Sequence, residues 1–188
     1  DRVRTYGEMV HGYADTASHY HYRLVAMGFE ELSTGEKFVL NINHLRSKRG
    51  TGAESNEKRM ANVDSLLVML DKIEGEQMFD DADILLVGDY NSYAQEEPIQ
   101  TIVRAGYEDM IVRDDSTSYS YVYHSEAGCL DRVFASETMA KQVQKVAVYH
   151  LNTDYFYSRG FKRGLDDTMF RYADHDPVLI SVKLDSIH

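Results

Sequence analysis

The spacing of apolar residues predicts one long amphipathic helix in the first half of the chain. Large apolar side chains recur at steps of three and four residues with charged residues between them, as a helix with one buried face requires. These positions are Met60, Val63, Leu66, Leu67, Leu70 and Ile73. The pattern stops near Gly75, and we expect the helix to end there.

Residues 83–87 form a nearly continuous apolar run without alternation, which is typical of a central strand that is covered on both faces. Shorter apolar and aromatic runs predict further strands at residues 22–31, 37–43, 119–123, 130–135, 145–150 and 178–182. Residues 96–105 can form a short helix. Residues 1–21 are polar and show no sustained period, so we expect an irregular segment there, with no role for His11, His19 or His21.

Helices and strands that alternate in this way predict an α/β (α+β) domain. The chain has 188 residues, 43% of them hydrophobic, which is enough for one sizeable core. There is no internal repeat and no Pro-rich linker, so residues 1–188 are interpreted as a single domain. The chain begins with Asp1 rather than Met, and we expect it to be a processed or truncated form.

The charge balance restricts the possible partners. The formal net charge is −11, which argues against a protein that binds nucleic acid with its whole surface. Two short basic patches, at residues 46–49 and 159–163, could still contact phosphates, although solvated surface clusters of this kind are common. No apolar run is long enough for a membrane span and no signal peptide is evident, and the single Cys129 excludes an internal disulfide.

The predicted central strand ends in Gly88-Asp89-Tyr90-Asn91. Ligands bind at the carboxyl ends of strands in α/β proteins, because the loops that leave a rigid sheet there converge. Asp89 and Asn91 would present an oxygen ligand or base beside an amide that can contact a phosphate oxygen. The alternative is a turn that is closed by the Asp and Asn side chains, and the motif alone does not decide between the two.

Three further segments carry residues suited to acid–base chemistry. His44 ends a predicted strand and is followed by alternating cations, although a single His beside a strand is more often only hydrogen-bonded. Asp131 lies among apolar residues and needs a partner to offset its burial. Asp174 and His175, just before the last strand, offer an imidazole that a buried Asp can orient.

Together these motifs resemble the C-terminal part of the endonuclease/exonuclease/phosphatase superfamily, which has the DNase I-like fold. Within the superfamily, the resemblance is greatest to the predicted extracellular nucleases of bacteria. The similarity covers residues 23–182 through NINHLRSKRG, LLVGDYNSYAQEEPI, YSYVYHSEAGCLDRVFAS and RYADHDPV. The resemblance implies a four-layer α/β/β/α sandwich and hydrolysis of phosphoesters assisted by a divalent metal, with Mg²⁺ expected and Mn²⁺ or Ca²⁺ as alternatives. It also suggests a secreted, periplasmic or cell-surface location.

The resemblance implies a role for each motif residue. Asp89 would activate the attacking water and Asn91 would hold a phosphate oxygen, while both residues, with Asp174, would contribute to the metal site. Asp131 would pair with His175, which would bind the scissile phosphate or transfer protons, and His44 would be the second catalytic imidazole. The predicted contacts to substrate phosphates are Arg46, Lys48, Arg159, Lys162 and Arg163.

The chain also departs from the family pattern. The Asn and the metal-binding Glu of the family's N-terminal half have no counterpart before residue 22, and Arg132 and Ala173 stand where relatives often carry His and Ser. We therefore expect residues 22–188 to be part of the domain, with the missing half or self-association covering its apolar edges. A nuclease is the leading prediction. The alternatives are a phosphatase or phosphodiesterase acting on inositol phosphates or lipid headgroups, and a non-catalytic phosphate-binding module.

Overall fold

The computed structural model describes residues 3–13, 23–75, 83–155 and 170–184. Its strands are β1 (Val3–Tyr13), β2 (Arg23–Glu31), β3 (Lys37–His44), β4 (Asp83–Asp89), β5 (Glu108–Asp109), β6 (Tyr121–Tyr123), β7 (Glu126–Gly128), β8 (Asp131–Ala135), β9 (Val143–Val148) and β10 (Val178–Val182). Its helices are α1 (Gly52–Glu74), α2 (Glu97–Arg104), α3 (Met110–Asp115) and α4 (Glu137–Gln142). The described ranges therefore contain the mixture of helices and strands that the hydrophobic pattern predicts.

A six-stranded sheet with the order β1-β2-β3-β4-β8-β5 forms the centre of the fold. Strands β3 and β4 are parallel, and helix α1 connects them, because parallel neighbours need a crossover connection. The other neighbours in this sheet are antiparallel. Strand β4 has neighbours on both sides and mostly buried residues, as its apolar sequence predicts.

The two faces of the sheet carry separate hydrophobic clusters. Ile84 and Leu86 of β4 belong to the cluster that also contains the buried apolar residues of α1, with Ile99 and Ile102 of α2. Leu85 belongs to the opposite cluster, against which Val87 packs, together with residues of α3, α4 and β9. Successive side chains of a strand point to opposite faces, so β4 contributes to both clusters.

A second, two-stranded sheet of β9 and β10 lies on the same side as the second cluster, and Val178, Ile180 and Val182 of β10 pack against that cluster. An apolar groove of about 430 Å³ runs between the two sheets. Phe38, Leu40 and Val87 line it on one side and β10 lines it on the other, and Asp131 and Asp176 also border it. The groove therefore reaches the part of the chain that carries the predicted site residues.

Strand β1 corrects the prediction of an irregular segment at residues 1–21 for residues 3–13, while the rest of that range, with His19 and His21, lies outside the described residues. Residues 3–13 pair with β2 along an antiparallel register that is interrupted by an irregularity between Tyr6 and Val10. The strand lies at the edge of the sheet and much of it is exposed, so its polar composition carries no strand signal. Tyr6 packs over Gly28, where a Cβ atom would lie 2.7 Å from the Tyr6 ring.

The other predicted elements lie within a few residues of the observed ones, while α3, α4, β5 and β7 are additional. None of the helices in the described ranges combines the length and the apolar character that a membrane crossing requires. The extent of the domain beyond these ranges stays a prediction.

Candidate functional site

Three predicted site residues form a row across neighbouring strands. His44 is the last residue of β3 and is the register partner of Asp89, the last residue of β4. Asp89 is in turn the register partner of Asp131, the first residue of β8. Because β8 runs antiparallel to β4, its amino end meets the carboxyl end of β4, and the hydrogen-bonded strands set the positions of all three residues.

The end of β4 is shaped by the residues on either side of Asp89. Gly88 has a φ of +136°, and a Cβ atom there would lie 1.9 Å from the Asn43 carbonyl oxygen of β3. Tyr90 is fully buried, accepts a hydrogen bond from the Asn43 side chain at 2.8 Å, and contacts the Phe134 ring edge-on. The absent side chain before Asp89 and the buried ring after it thus fix the direction of the carboxylate.

Asp89 and Asn91 form a closed turn. The Asn91 backbone N–H donates to Asp89 Oδ1 at 2.8 Å, and the Asn91 carboxamide donates to Asp89 Oδ2 at 2.9 Å and to the Leu45 carbonyl oxygen at 3.1 Å. The turn alternative considered for this motif is therefore present, with Asn91 at a positive φ of 48°. Both carboxamide N–H groups are engaged, so the predicted phosphate contact of Asn91 requires one of these bonds to be exchanged.

The surroundings of the Asp89 carboxyl oppose its ionisation. Burial raises the pKa of the Asp89 carboxyl and the charge of Asp131 adds to this, whereas the Asn91 hydrogen bond and the imidazoles of His175 and His44 oppose it. His44 Nε2 lies 3.6 Å from Asp89 Oδ2, with most of its ring exposed. A cation bound between the two carboxylates would relieve their repulsion.

Asp131 pairs with His175, as predicted from their residue types and burial. His175 Nδ1 lies 2.7 Å from Asp131 Oδ2, and the Ser120 hydroxyl donates to the same oxygen at 2.6 Å. Since a carboxylate accepts hydrogen bonds, His175 donates from a protonated Nδ1, which leaves Nε2 outside this pair. Burial lowers the pKa of His175, but the bond to Asp131 and the charges of Asp131, Asp89 and Asp174 outweigh this and raise it.

The segment that carries His175 is held by two residues with no predicted role. The Asn152 side chain donates to the His175 carbonyl oxygen at 2.7 Å and accepts from the Tyr172 N–H at 2.8 Å. The buried Asp176 carboxylate accepts from the backbone N–H groups of residues 151–153 and contacts His150 Nδ1 at 2.8 Å. These contacts fasten the segment before β10 to the loop after β9.

The described His, Cys, Asp and Glu side chains include a group that could hold a metal ion. Asp89, Asp131 and His175 form such a group, because one ligand atom from each lies within 4.8 Å of the others. The two carboxylates of this group suit a hard divalent cation, and the repulsion between them supports this fit. Asp174, a predicted metal ligand, is exposed and is not a member of this group.

The basic loop beside the site is anchored on helix α1. The Arg46 N–H donates to the buried Asn62 side chain at 3.0 Å, and the buried Arg59 guanidinium lies 3.5 Å from the Arg46 carbonyl oxygen. Lys48 pairs with Glu96 and lies over the Tyr93 ring, 4.7 Å from its centre. The Lys48 ammonium group therefore already has an ion-pair partner and a ring contact. The predicted phosphate contacts Arg159, Lys162 and Arg163 lie outside the described residues.

Arg132 belongs to the buried core of the fold. Its side chain is buried, pairs with Asp109 at 2.8 Å and donates to the Cys129 carbonyl oxygen at 3.1 Å. Asp109 also accepts from the backbone N–H groups of Ile111 and Val112 at the start of α3. Arg132 follows Asp131 in β8 and so points to the opposite face of the sheet, away from the Asp131 carboxylate.

Sequence reasoning missed Ser120, Asn152 and Asp176, which hold the predicted site residues. Asp176 offered the clearest signal, since an acidic residue next to His175 and Pro177 had no assigned partner. Ser120 and Asn152 are common loop residues, and their importance comes from contacts with residues that are distant in the sequence. Only the folded arrangement shows them.

The comparisons with known proteins find likeness at the level of the fold. No family model matches the sequence and no curated protein matches it. The solved structure of the mannosyl-6-phosphatase of Bacteroides thetaiotaomicron VPI-5482 superposes with a TM-score of 0.69 at 14% identity, covering 97% of this chain and 67% of that chain.

Two further solved structures agree with this. An endonuclease/exonuclease/phosphatase family protein from Bacteroides thetaiotaomicron has a TM-score of 0.67 at 16% identity, covering 95% of this chain and 65% of that one. A 3′ phosphatase from Neisseria, bound to a product DNA hairpin, has a TM-score of 0.61 at 12% identity, covering 94% of this chain and 70% of that one. The chain spans about two thirds of the length of these structures.

The chain therefore has the fold of the endonuclease/exonuclease/phosphatase proteins and forms part of a DNase I-like sandwich. The predicted fold class is confirmed. The closer resemblance to bacterial extracellular nucleases stays a prediction.

Proposed function

We propose that this chain carries the main catalytic part of a metal-dependent phosphoester hydrolase. The observation that supports it is the group formed by Asp89, Asp131 and His175, whose ligand atoms lie within 4.8 Å of one another at one edge of the sheet. Two carboxylates and an oriented imidazole are the groups that phosphoester hydrolysis needs for activating water and stabilising charge. The similar solved structures include two phosphatases.

Each side chain of the site has a separate proposed role in hydrolysis. Asp89 orients the attacking water and accepts its proton as the new P–O bond forms. Asp131 holds His175 with Nδ1 protonated, so that in the doubly protonated ring Nε2–H can donate to a phosphoryl oxygen or give its proton to the leaving oxygen when the ester P–O bond breaks. His44, beside Asp89, is the second imidazole available for proton transfer.

A divalent cation would fit beside Asp89 and Asp131, and the exposed Asp174 is close enough to His175 for its charge to help raise the pKa of that imidazole. When bound, it would polarise the phosphoryl group and offset the charge on its oxygens. Mg²⁺ is the proposed ion because the carboxylates are hard oxygen ligands, with Mn²⁺ and Ca²⁺ as alternatives. Asn91 contributes by fixing both oxygens of Asp89.

The proposed substrate class is a nucleic-acid backbone. Arg46 and Lys48 lie on the loop that leaves β3 directly after His44, so a phosphate chain crossing the site passes them. The Neisseria 3′ phosphatase with the same fold was solved with a product DNA hairpin. Arg159, Lys162 and Arg163 are proposed as additional backbone contacts on sequence grounds alone.

A small phosphoester is the second candidate, and the electrostatics favour it. The net charge of −11 opposes the approach of a long polyanion, and Lys48 is already paired with Glu96. The mannosyl-6-phosphatase shares the fold. The substrate in this case would be a phosphorylated sugar, an inositol phosphate or a lipid headgroup, which needs only the central site and few distant cations.

We further propose that another polypeptide segment completes the domain, namely the N-terminal half that is typical of this fold. The chain spans about two thirds of the similar structures. The apolar groove between the sheets, about 430 Å³ and bordered by Asp131, is where added strands would bury apolar surface. Such a segment could also supply a further acidic ligand next to Asp89.

The experiment is a hydrolysis assay with plasmid DNA, bis-p-nitrophenyl phosphate and mannose 6-phosphate, each with Mg²⁺ and with chelator. It compares this chain with a longer form that contains additional N-terminal polypeptide, and each of them with its Asp89→Ala variant. Metal-dependent hydrolysis that Asp89→Ala abolishes supports the proposal. Hydrolysis that is unaffected by Asp89→Ala, or none in either form, overturns it.

The salt dependence decides between the two substrate classes. Cleavage of nucleic acid should fall steeply as salt rises, because each phosphate contact releases counterions, and the enzyme should then be slow on small esters. Hydrolysis of mannose 6-phosphate with little salt dependence, together with slow plasmid cleavage, identifies the small-substrate class. Activity only in the longer form supports completion of the site by the added segment.

A further inference from the structure

Ser120 is the residue that joins the two halves of the Asp131–His175 pair. It is fully buried, and its hydroxyl donates to Asp131 Oδ2 at 2.6 Å. The same hydroxyl oxygen accepts the backbone N–H groups of Leu130 and Asp131, both at 3.2 Å. One side chain therefore fixes both the carboxylate of Asp131 and the main chain that carries it.

The main chain of Ser120 holds the His175 side of the pair. Its carbonyl oxygen accepts the Asp176 N–H at 2.8 Å, directly after His175, and its own N–H donates to the Gly128 carbonyl oxygen at 3.1 Å. The next residue, Tyr121, forms an antiparallel bridge with His175 and has its ring 4.7 Å from the imidazole. The segments that carry Asp131 and His175 thus meet at Ser120.

The hydroxyl also determines which carboxylate oxygen is used. Oδ2 of Asp131 receives both the Ser120 O–H and the His175 Nδ1–H, so the rotation of the carboxylate is fixed by two donors from different segments. Oδ1 is thereby kept for a metal ion or substrate. Without the hydroxyl, the carboxylate can turn about its last bond, and the direction of the imidazole changes with it.

We propose that Ser120 is a positioning residue for the catalytic pair and sets the orientation of the His175 ring through Asp131. This inference rests on the proposed function for its effect on rate. Its effect on the ring is independent of any activity. Residues that orient site groups in this way typically change activity by about 10- to 100-fold when they are removed.

The first test is nuclear magnetic resonance of the His175 ring at a fixed pH, without metal or substrate. In the unaltered chain, the Nδ1 proton bound to Asp131 should give a slowly exchanging downfield signal. Ser120→Ala should shift or broaden this signal, and Ser120→Thr, which keeps a hydroxyl, should restore it. Ser92→Ala is the matched control, because Ser92 is equally buried and its hydroxyl has no partner among the described residues.

Thermal unfolding separates positioning from stability. A purely structural Ser120 would lower the melting temperature in Ser120→Ala and leave the His175 signal where it was, and this result would overturn the inference. If Ser120→Thr fails to fold because the extra methyl group does not fit, a comparison of the His175 signals in Ser120→Ala and Ser92→Ala still tests the positioning role. An unchanged signal in folded Ser120→Ala refutes the proposal.

The second test measures the rate with whichever phosphoester the chain or its longer form hydrolyses. Ser120→Ala should lower kcat by about 10- to 100-fold and change KM little, because binding groups are retained while the pair is misaligned. Equal losses in Ser120→Ala and Ser92→Ala would overturn the positioning role. If no phosphoester is hydrolysed, the proposed function fails, while the ring signal still tests Ser120.

Discussion

Asp89 and Asp131 are register partners on adjacent antiparallel strands, one at the last position of β4 and the other at the first position of β8. Their spacing follows from the hydrogen-bonded main chains and depends little on how the side chains pack. Burial raises the pKa of the half-buried Asp89 carboxyl, and the charge of Asp131 raises it further. The pairing of these strands therefore creates both the site and its demand for a positive charge.

Replacing Asp131 should separate catalysis from folding. Asp131→Asn keeps the size of the side chain but removes the charge that orients His175, and we expect hydrolysis to fall on the order of 10²- to 10⁴-fold. Asp174→Asn, at an exposed position outside the three-residue group, should have a smaller effect. Steady-state kinetics measures the loss of hydrolysis in both variants, and calorimetric titration with Mn²⁺ measures their metal binding. Equal losses in the two variants would contradict the assignment.

Gly88→Ala should disrupt the end of β4. The added Cβ would meet the Asn43 carbonyl oxygen at 1.9 Å in a backbone conformation with φ of +136°, so β3 and β4 must move apart where the site lies. Gly35→Ala is the matched control, because its φ is +76° but the space around it is open. We expect the control to cost about 1–2 kcal/mol and Gly88→Ala clearly more, as measured by urea unfolding.

The buried pair of Arg132 and Asp109 should matter for stability. Arg132→Ala leaves a buried carboxylate without its partner, and breaking such a pair typically costs about 3–5 kcal/mol. Arg104→Ala removes the exposed pair with Glu97 and should cost less than about 1 kcal/mol. Urea unfolding of both variants checks this, and similar midpoints would show that the buried pair contributes little.

Glu31 should make stability depend on acid pH. Hydrogen bonds from Ser33 and Thr34 lower its pKa from the ordinary 4.5 to about 2. A carboxyl with a depressed folded pKa stabilises the fold above its unfolded pKa, and this contribution is lost as the pH falls from about 4.5 to about 2. Glu31→Gln should be less stable than the unaltered chain at pH 7, and the difference should shrink across that window.

The matched control for Glu31 is Glu57→Gln, at an exposed position of α1. Urea unfolding at several pH values between neutral and acid gives the free energy of unfolding for each variant. A Glu31→Gln difference that stays constant across the window would show that the turn does not depend on the ionised carboxyl.

The chain alone should associate at moderate concentration. The apolar groove and the exposed Leu179 of β10 leave apolar surface uncovered, and the two-stranded sheet has unpaired edges within the described residues. Size-exclusion chromatography with light scattering should show species larger than the monomer, and a Leu179→Lys variant should shift the balance toward the monomer. A stable monomer at all concentrations would contradict this prediction.

Much of the fold could be predicted, because buried strands and helices leave a period in the sequence. Strand β4 and helix α1 are the clearest cases, since both carry long apolar patterns. Strand β1 was missed because an exposed edge strand is held by main-chain bonds that have no side-chain signature. The short helices α3 and α4 depend on packing against β8 and β9.

The site could be predicted in part. Buried carboxylates and a nearby His need partners, which is enough to pair Asp131 with His175. Residue spacing does not determine side-chain directions. It therefore could not show that Asn91 bonds to Asp89 within the turn, or that Lys48 pairs with Glu96. The metal, the substrate and a location outside the cell stay predictions.

The fastening of the His175 segment has a consequence for how the protein loses activity. Asn152 and Asp176 attach this segment to the loop after β9, and Ser120 and Tyr121 attach it to the start of β6, whereas Asp89 and Asp131 belong to strands in a six-stranded sheet. Local opening of a segment outside the large sheet costs less free energy than global unfolding. Mild denaturant should therefore withdraw the imidazole while the sheet persists, so inactivation should precede the cooperative unfolding transition.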